Sequence, residues 1–258
     1  MHTTCKSRFE FKSAFFLYCL KKETLCFKII LKKTILKEDI MITKDYLPNH
    51  PEIELYQDDT MLRINTDTFV LGEFLNIYKN DTVLDMGTNQ GALLLYANLF
   101  HPKKLIGLEI NPEGVALAKR NMELNHIENA EIICGNIITY KNDPVDVIIC
   151  NPPYFKTKED NKGLNNFKAI AKHEGELTLK LLIDSIERNL KDNGTLYFLF
   201  LSQRLDEVLM ELRRKHLIPK IIKFVFDKEK KYSNVFLVKA IKNGKPGLVV
   251  EKPIQIER

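Results

Sequence analysis

Thr82-Val83-Leu84-Asp85-Met86-Gly87-Thr88-Asn89-Gln90-Gly91 reads as a short apolar strand closed by an acid and a glycine-bearing turn, with the helical pattern of Ala92 to Phe100 directly after it. A strand, a tight turn and a helix N-terminus together aim backbone N–H groups at one point, which suits a carboxylate or a phosphate. Gly87 and Gly91 allow positive φ and close backbone approach. The spacing differs from the G-x-G-x-x-G of nucleotide oxidoreductases, and Asn89 stands where a third glycine is often seen. Asparagine tolerates the left-handed region better than most residues. A plain strand-to-helix turn without a ligand is the alternative reading of the same stretch.

The pattern recurs downstream. Leu105 to Glu109 is a second apolar strand ending in an acid, and Asn111-Pro112-Glu113 opens a helix running to about Asn125, with Asn111 as N-cap and Pro112 in the first helical position. Glu131 to Cys134 is a third strand, closing on Gly135-Asn136, and Val145 to Cys150 a fourth, closing on Asn151-Pro152-Pro153-Tyr154. Gly194 to Leu201 supplies a fifth. Helical stretches fall at roughly Asp67 to Ile77, Leu177 to Leu190 and Arg204 to Lys215. Ile218 to Phe226 and Asn234 to Ile241 read as an antiparallel pair around the charged turn Asp227 to Lys231. Strands alternating with helices predict a doubly wound α/β fold on a mainly parallel sheet, and 258 residues at 45% hydrophobic are enough for one full core.

Ligands of such sheets lie outside the carboxyl ends of the strands. Glu109, 24 residues beyond Asp85, is placed either to take the hydroxyls of a ribose or to sit as an exposed acid favouring a helix N-terminus. Asn136 either grips the edge of an adenine ring or is a turn residue. Asn151-Pro152-Pro153-Tyr154 has the chemistry of a site acting on an exocyclic amine. An adenine amine is a poor nucleophile because its lone pair is delocalised into the ring. A catalyst must hold its two hydrogens and orient that lone pair, and the Asn151 side-chain oxygen and Pro152 carbonyl are acceptors for the purpose. Consecutive prolines fix φ and restrict the residue before them, so these acceptors are set before substrate arrives. Tyr154 offers a flat face for stacking. A proline-rich turn with a surface tyrosine is the bland alternative.

Together these strand ends resemble the class I S-adenosylmethionine-dependent methyltransferases, and Asn151 to Tyr154 resembles their amino-methylating branch. Leu62-Arg63-Ile64-Asn65-Thr66-Asp67-Thr68-Phe69-Val70-Leu71 and Ala171-Lys172-His173-Glu174 narrow the likeness to the tRNA1(Val) adenine-37 N6-methyltransferase family. The resemblance implies a Rossmann-like, seven-stranded sheet with an antiparallel C-terminal strand. It implies S-adenosylmethionine as cofactor, held by Asp85, Gly87, Thr88, Asn89, Gly91, Glu109, Asn136 and Asn151. It implies Asn151, Pro152, Pro153 and Tyr154 as catalytic, a tRNA adenine beside the anticodon as target, and no metal. Asn136 stands where the family often has aspartate, keeping an acceptor oxygen but losing its charge. Lys172 stands where arginine is more frequent, which loses the bidentate fork.

Charge agrees with a nucleic-acid partner only locally. The chain carries +5, but residues 1–40 hold nine basic and four acidic side chains, so residues 41–258 balance at 30 of each. Lys156, Lys158, Lys172 and His173 follow the tetrapeptide as candidate RNA contacts, with Lys162 and Lys168 between them. Arg213, Arg214, Lys215, Lys220 and Lys223 are either a second phosphate-binding group or a solvated face. His173 and Glu174, and likewise Asp67 at a helix start, also fit ordinary capping and surface roles.

Residues 1–40 are expected to be a basic extension preceding the physiological start at Met41, with 41–258 a single methyltransferase domain; an RNA-binding extension is the rival, and intact mass of the native protein separates the two. The apolar run Phe15 to Leu20 is too short to span a membrane. Five cysteines without a C-x-x-C pair indicate neither a zinc site nor a disulfide framework and suit a reducing cytoplasm. A protein N5-glutamine methyltransferase, a DNA adenine methyltransferase and a non-catalytic RNA-binding module with a decayed cofactor fold are the competing functions. The glutamine enzymes usually carry a helical recognition domain, and the DNA enzymes a target-recognition domain.

Overall fold

Val147, Ile148, Ile149 and Cys150 are all buried, and successive residues along a strand face opposite sides of a sheet, so such a strand needs apolar cover on both faces. A computed structural model describes residues 42–152 and 177–257, and shows that cover. The strands are β1 (Ile42–Leu47), β2 (His50–Asp58), β3 (Thr82–Met86), β4 (Lys104–Glu109), β5 (Ala130–Cys134) and β6 (Val145–Cys150). They continue with β7 (Leu190–Leu201), β8 (Leu217–Asp227), β9 (Val235–Lys242), β10 (Val249–Val250) and β11 (Ile254–Ile256). The helices are α1 (Thr66–Phe74), α2 (Ala92–Asn98), α3 (Pro112–Leu124), α4 (Leu179–Asn189) and α5 (Leu205–Arg214), the last preceded by a 3-10 turn at Ser202–Arg204.

Nine strands form the main sheet, in the order β10-β8-β9-β7-β6-β3-β4-β5 with β11 also on β8. Neighbours pair in parallel except β9, which runs antiparallel to both β7 and β8. The seven strands β3 to β9 match the predicted sheet; β10 and β11, which extend its edge alongside β8, and the separate β1–β2 hairpin are additions. On one face Val83, Leu105, Val147, Ile149, Tyr197 and Leu199 meet α1, α2 and α3 through Leu71, Leu94 and Ala118. On the other, Leu84, Ile106, Ile148, Leu196 and Phe198 meet α4 and α5 through Leu182, Ile186, Val208 and Leu212. The alternation of period 2 therefore places β3, β4, β6 and β7 in the middle of two apolar layers.

Asn111 caps α3 by accepting from Glu113 N at 3.1 Å, with Pro112 at its start. The helix expected over Asp67 to Ile77 stops at Phe74, because the next turn is held by β7: the Tyr197 hydroxyl donates to Asn76 O at 2.6 Å and accepts from Asn76 N at 3.2 Å. The helix expected over Ala92 to Phe100 ends at Asn98.

A buried asparagine fastens the β1–β2 hairpin to this core. Asn121 of α3, fully buried, accepts from Tyr56 N at 2.7 Å and donates to Tyr56 O at 3.0 Å and to Gln90 O at 2.8 Å. Removing it leaves three backbone groups without partners, at roughly 1 to 3 kcal/mol each and not additively. Asn121→Ala is expected to lower stability by about 3 to 5 kcal/mol in urea unfolding; a loss under about 1 kcal/mol contradicts this role.

Candidate active site

The C-terminal ends of five parallel strands share one edge of the sheet, carrying, in spatial order, Asn136 after β5, Glu109 at the end of β4, Asp85 to Gly87 at the end of β3, Asn151 after β6 and Ser202 after β7. Met86 and Cys150 are paired Cα partners in β3 and β6, so Gly87 and Asn151 leave neighbouring strands at the same level, about 5 Å apart by strand spacing. The glycine turn and the first residue of the tetrapeptide thus open onto the same side. Asn151 is half-buried and Pro152 buried.

The turn is anchored from below: Gly87 N and Thr88 N both donate to Leu108 O, at 2.8 and 3.0 Å. Gly87 has φ +84°, and a Cβ there would meet nothing nearer than Ile137 Cδ1 at 3.9 Å. The space over the turn is therefore open, and glycine is needed for its backbone conformation rather than for room. Asn89, at φ 50°, takes the left-handed conformation expected of it. Its side chain donates to Leu62 O at 2.6 Å, and its backbone N–H donates to Glu109 Oε2 at 2.8 Å.

Glu109 is fixed by three backbone donors, because Oε1 also accepts from Ile110 N and Asn111 N, both at 2.9 Å. A carboxylate has about four lone-pair directions. The one left lies on Oε2 and accommodates one ribose hydroxyl, while a second hydroxyl must share Oε1. Asn136 adopts the turn role: its Oδ1 accepts from Ile138 N at 2.7 Å and its backbone carbonyl from Tyr140 N at 2.9 Å. Its Oδ1 retains a second lone pair for a ligand.

Asp85 is the exceptional group. It is completely buried, and neither carboxylate oxygen has a hydrogen-bond partner; the buried hydroxyl of Thr88 is likewise unpartnered. Burial pushes the Asp85 carboxyl up to about 7; the Thr88 hydroxyl opposes this without meeting hydrogen-bond geometry, and the Glu109 charge adds to it. A buried carboxylate without a partner is costly unless a cation or donor arrives to meet it. S-adenosylmethionine brings an ammonium group, ribose hydroxyls and an adenine. The orphaned oxygens of Asp85, the spare lone pair of Glu109 and the open turn at Gly87 fit those groups.

One contributor had no sequence signal of its own. Gln90, buried in the glycine turn, accepts from Asp58 N at 3.1 Å and donates to Leu62 O at 2.9 Å. Leu62 O therefore receives both Asn89 and Gln90, which gives the Leu62 to Leu71 stretch a physical link to the turn. Asn65 within it caps α1, accepting from Thr68 N at 3.0 Å, so Asp67 is a first-turn acid and not the cap.

Pro153, Tyr154, Lys156, Lys158, Lys172, His173 and Glu174 lie outside the described residues. For the later basic group the structure favours one of the two readings. Arg213, Arg214, Lys215 and Lys220 sit where α5 ends and β8 begins, at the opposite edge of the sheet from Asn151, since β8 points the same way as β6. Arg214 and Lys215 pair with Asp184, and Lys223 pairs with Glu251. This is the solvated-face reading, with its charge largely compensated. Among the described residues no group of three or more His, Cys, Asp or Glu could hold a metal ion, and no helix is long and apolar enough to cross a membrane.

A parallel sheet with a ribose-suited acid, a cation-suited acid and a glycine turn along one edge defines a class I S-adenosylmethionine-dependent methyltransferase. The family model described as "Methyltransferase domain" matches residues 77–236, and the chain belongs to that family. Its cofactor is S-adenosylmethionine.

A provisionally named protein N5-glutamine methyltransferase of Methanocaldococcus jannaschii is 34% identical over 99 residues, covering 38% of this chain and 50% of that relative. The chain therefore spans about half the length of that relative. A tRNA1(Val) (adenine(37)-N6)-methyltransferase of Pseudoalteromonas translucida is 28% identical over 163 residues, covering 62% of this chain and 69% of the relative. Among solved structures, the tRNA m1G37 methyltransferase of M. jannaschii superposes with a TM-score of 0.57 at 17% identity, over 81% of this chain and 59% of that one, a likeness of fold.

Proposed function

We propose that the protein transfers the methyl group of S-adenosylmethionine to the exocyclic N6 of an adenine in tRNA, next to the anticodon. The observation that carries this is the pairing of β3 with β6, which brings the donor turn at Gly87 beside Asn151. Similarity to several tRNA1(Val) adenine-N6 methyltransferases supports the choice of substrate. Asp85, Gly87, Thr88, Asn89, Gly91, Glu109, Asn136 and Asn151 hold the cofactor in this reading. Asn151, Pro152, Pro153 and Tyr154 hold the target base, and Lys156, Lys158, Lys172 and His173 contact RNA.

When bound, the cofactor supplies an electrophilic methyl group on a sulfonium. The Asn151 side-chain oxygen and the Pro152 carbonyl accept the two hydrogens of the amine, turning its lone pair toward that methyl. Positioning supplies most of the rate. The methylated amine is cationic at first and releases a proton to water or a nearby acceptor, so no residue acts as a strong base. The adenine must leave its stack to reach the pocket, as base-modifying enzymes require.

Mass analysis of nucleosides from tRNA incubated with the protein and labelled cofactor is expected to show N6-methyladenosine. Labelled tRNA lacking that nucleoside refutes the position; unlabelled tRNA refutes the substrate. The similarity to the M. jannaschii relative favours a second reading, in which the amine is a protein glutamine amide presenting the same hydrogens to Asn151 and Pro152. Transfer of label to protein and not to tRNA in the same assay selects it.

A further inference from the structure

The edge of the sheet that carries Asn151 also carries a feature assigned no role above. Because β9 runs antiparallel between β7 and β8, the connection from Asp227 to Val235 emerges at the same edge as the end of β7; Leu201 is paired with Val235, as is Val225. Strand spacing places it about 10 to 15 Å from Asn151, two to three strands across the sheet. Here an open cleft of about 910 Å³ is lined by Asp67, Ser202, Lys230, Lys231, Tyr232 and Asn234, among others.

The composition of this turn is specific. Tyr232 is 81% exposed, the largest value among the exposed apolar and aromatic side chains described, although a tyrosine ring in water forgoes the burial that usually retains it. Beside it, Lys230 and Lys231 make no ion pair among the described residues. Of the neighbouring charges, Lys228 pairs with Glu257, Asp227 Oδ1 accepts from Glu229 N at 3.2 Å and Arg204 pairs with Glu207, while the acids Glu229, in the turn, and Asp67, in the cleft lining, leave the basic side chains in excess by one in the turn itself. The Asp227 carbonyl also accepts from Lys230 N at 2.9 Å, and Ser233 Oγ donates to Val225 O at 3.0 Å, so the turn is built rather than loose. A fixed turn that presents one aromatic face and two ammonium groups outside any ion pair among the described residues, at an enzyme's reactive edge, has the elements of a single-stranded nucleic-acid contact.

We propose that the Asp227 to Val235 turn is an RNA-binding subsite, in which Tyr232 stacks on a nucleotide flanking the target adenine and Lys230 and Lys231 take the adjoining phosphates. The subsite rests on the tRNA reading above. Its distance from Asn151 matches a neighbouring nucleotide better than the target base, and it sets which loop is accepted rather than the chemistry performed.

Steady-state kinetics on tRNA, together with direct tRNA binding across a salt series, test it in the full chain. Tyr232→Ala is expected to raise KM for tRNA by about tenfold, the lower range for loss of one base stack, with kcat, cofactor affinity and melting temperature unchanged. Tyr232→Phe, which keeps the stacking face, restores the wild-type KM. The double variant Lys230→Ala, Lys231→Ala is expected to reduce the slope of log affinity against log salt by about 1 to 2. Changes in KM within twofold and an unaltered salt slope, with wild-type protein still methylating tRNA, overturn the subsite and leave the tRNA reading standing. Wild-type protein that neither binds nor methylates tRNA overturns both.

Discussion

Replacing Asn151 with alanine is expected to lower kcat for methyl transfer by two to three orders of magnitude while leaving S-adenosylmethionine affinity within a few-fold. The loss corresponds to removing one fixed acceptor from a preorganised site, roughly 3 to 4 kcal/mol. The asymmetry follows from position. Asn151 directly follows β6 and in this reading touches the cofactor only beside its methyl group, whereas the groups that fit the cofactor's ammonium and ribose belong to β3 and β4 and carry most of its affinity. Calorimetric titration with cofactor and single-turnover transfer to tRNA measure the two quantities separately. A variant that retains full kcat removes Asn151 from the mechanism, whatever the substrate proves to be. Asn151→Asp keeps an acceptor of the same shape and is expected to recover part of the rate.

The second large effect concerns Asp85. Its carboxyl is pushed up to about 7 by burial, above the ordinary carboxylate value it has in the unfolded chain. The native state therefore binds the proton more tightly, so Asp85 favours folding below about pH 4, its contribution erodes as pH rises to about 7, and the cost is constant above that. A rise of about three units corresponds to something on the order of 4 kcal/mol. Asp85→Asn is expected to melt roughly 10 °C above the wild type at pH 8 in the cofactor-free protein, with the difference shrinking toward zero near pH 4. The same variant binds S-adenosylmethionine more weakly, since the orphaned carboxylate that suits its ammonium is gone. Melting curves whose difference does not vary between pH 4.5 and 8 rule out the buried carboxylate as the cause. The site is thus stabilised by its ligand: affinity is gained at the expense of the empty enzyme's stability.

Legibility in the sequence followed burial. β3, β4, β5 and β6 were readable to within a residue because each is a short apolar run, and all four end at or within two residues of a polar group of the proposed site: Asp85, Glu109, Asn136 and Asn151. The β1–β2 hairpin was not. Its strands are exposed at many positions and carry Lys44, Asp45, Glu52 and Glu54, so no hydrophobic period announces them. β10 and β11, two and three residues long, are shorter than any periodic signal. The strand-end acids were legible as candidates, but that Asp85 has no partner while Glu109 is held by three backbone donors is a fact of packing. Gln90 and Asn121 show the limit most plainly: a glutamine in a turn and an asparagine within α3 look like surface residues until their partners from β2 are brought to them. The Arg213 to Lys223 group stayed open between two readings for a related reason, since proximity in sequence to other basic residues does not reveal which end of a strand they occupy.

The buried amide of Asn121 has a practical corollary for anyone wishing to transplant this catalytic core. One side chain grips both the strand that precedes the sheet and the glycine turn at the proposed donor site. A chimaera cut between Asp58 and Thr66, ahead of α1, would sever the brace and leave the Gly87 to Gly91 turn to find its shape alone. The workable excision begins ahead of Ile42, so that the hairpin travels with the machinery it steadies.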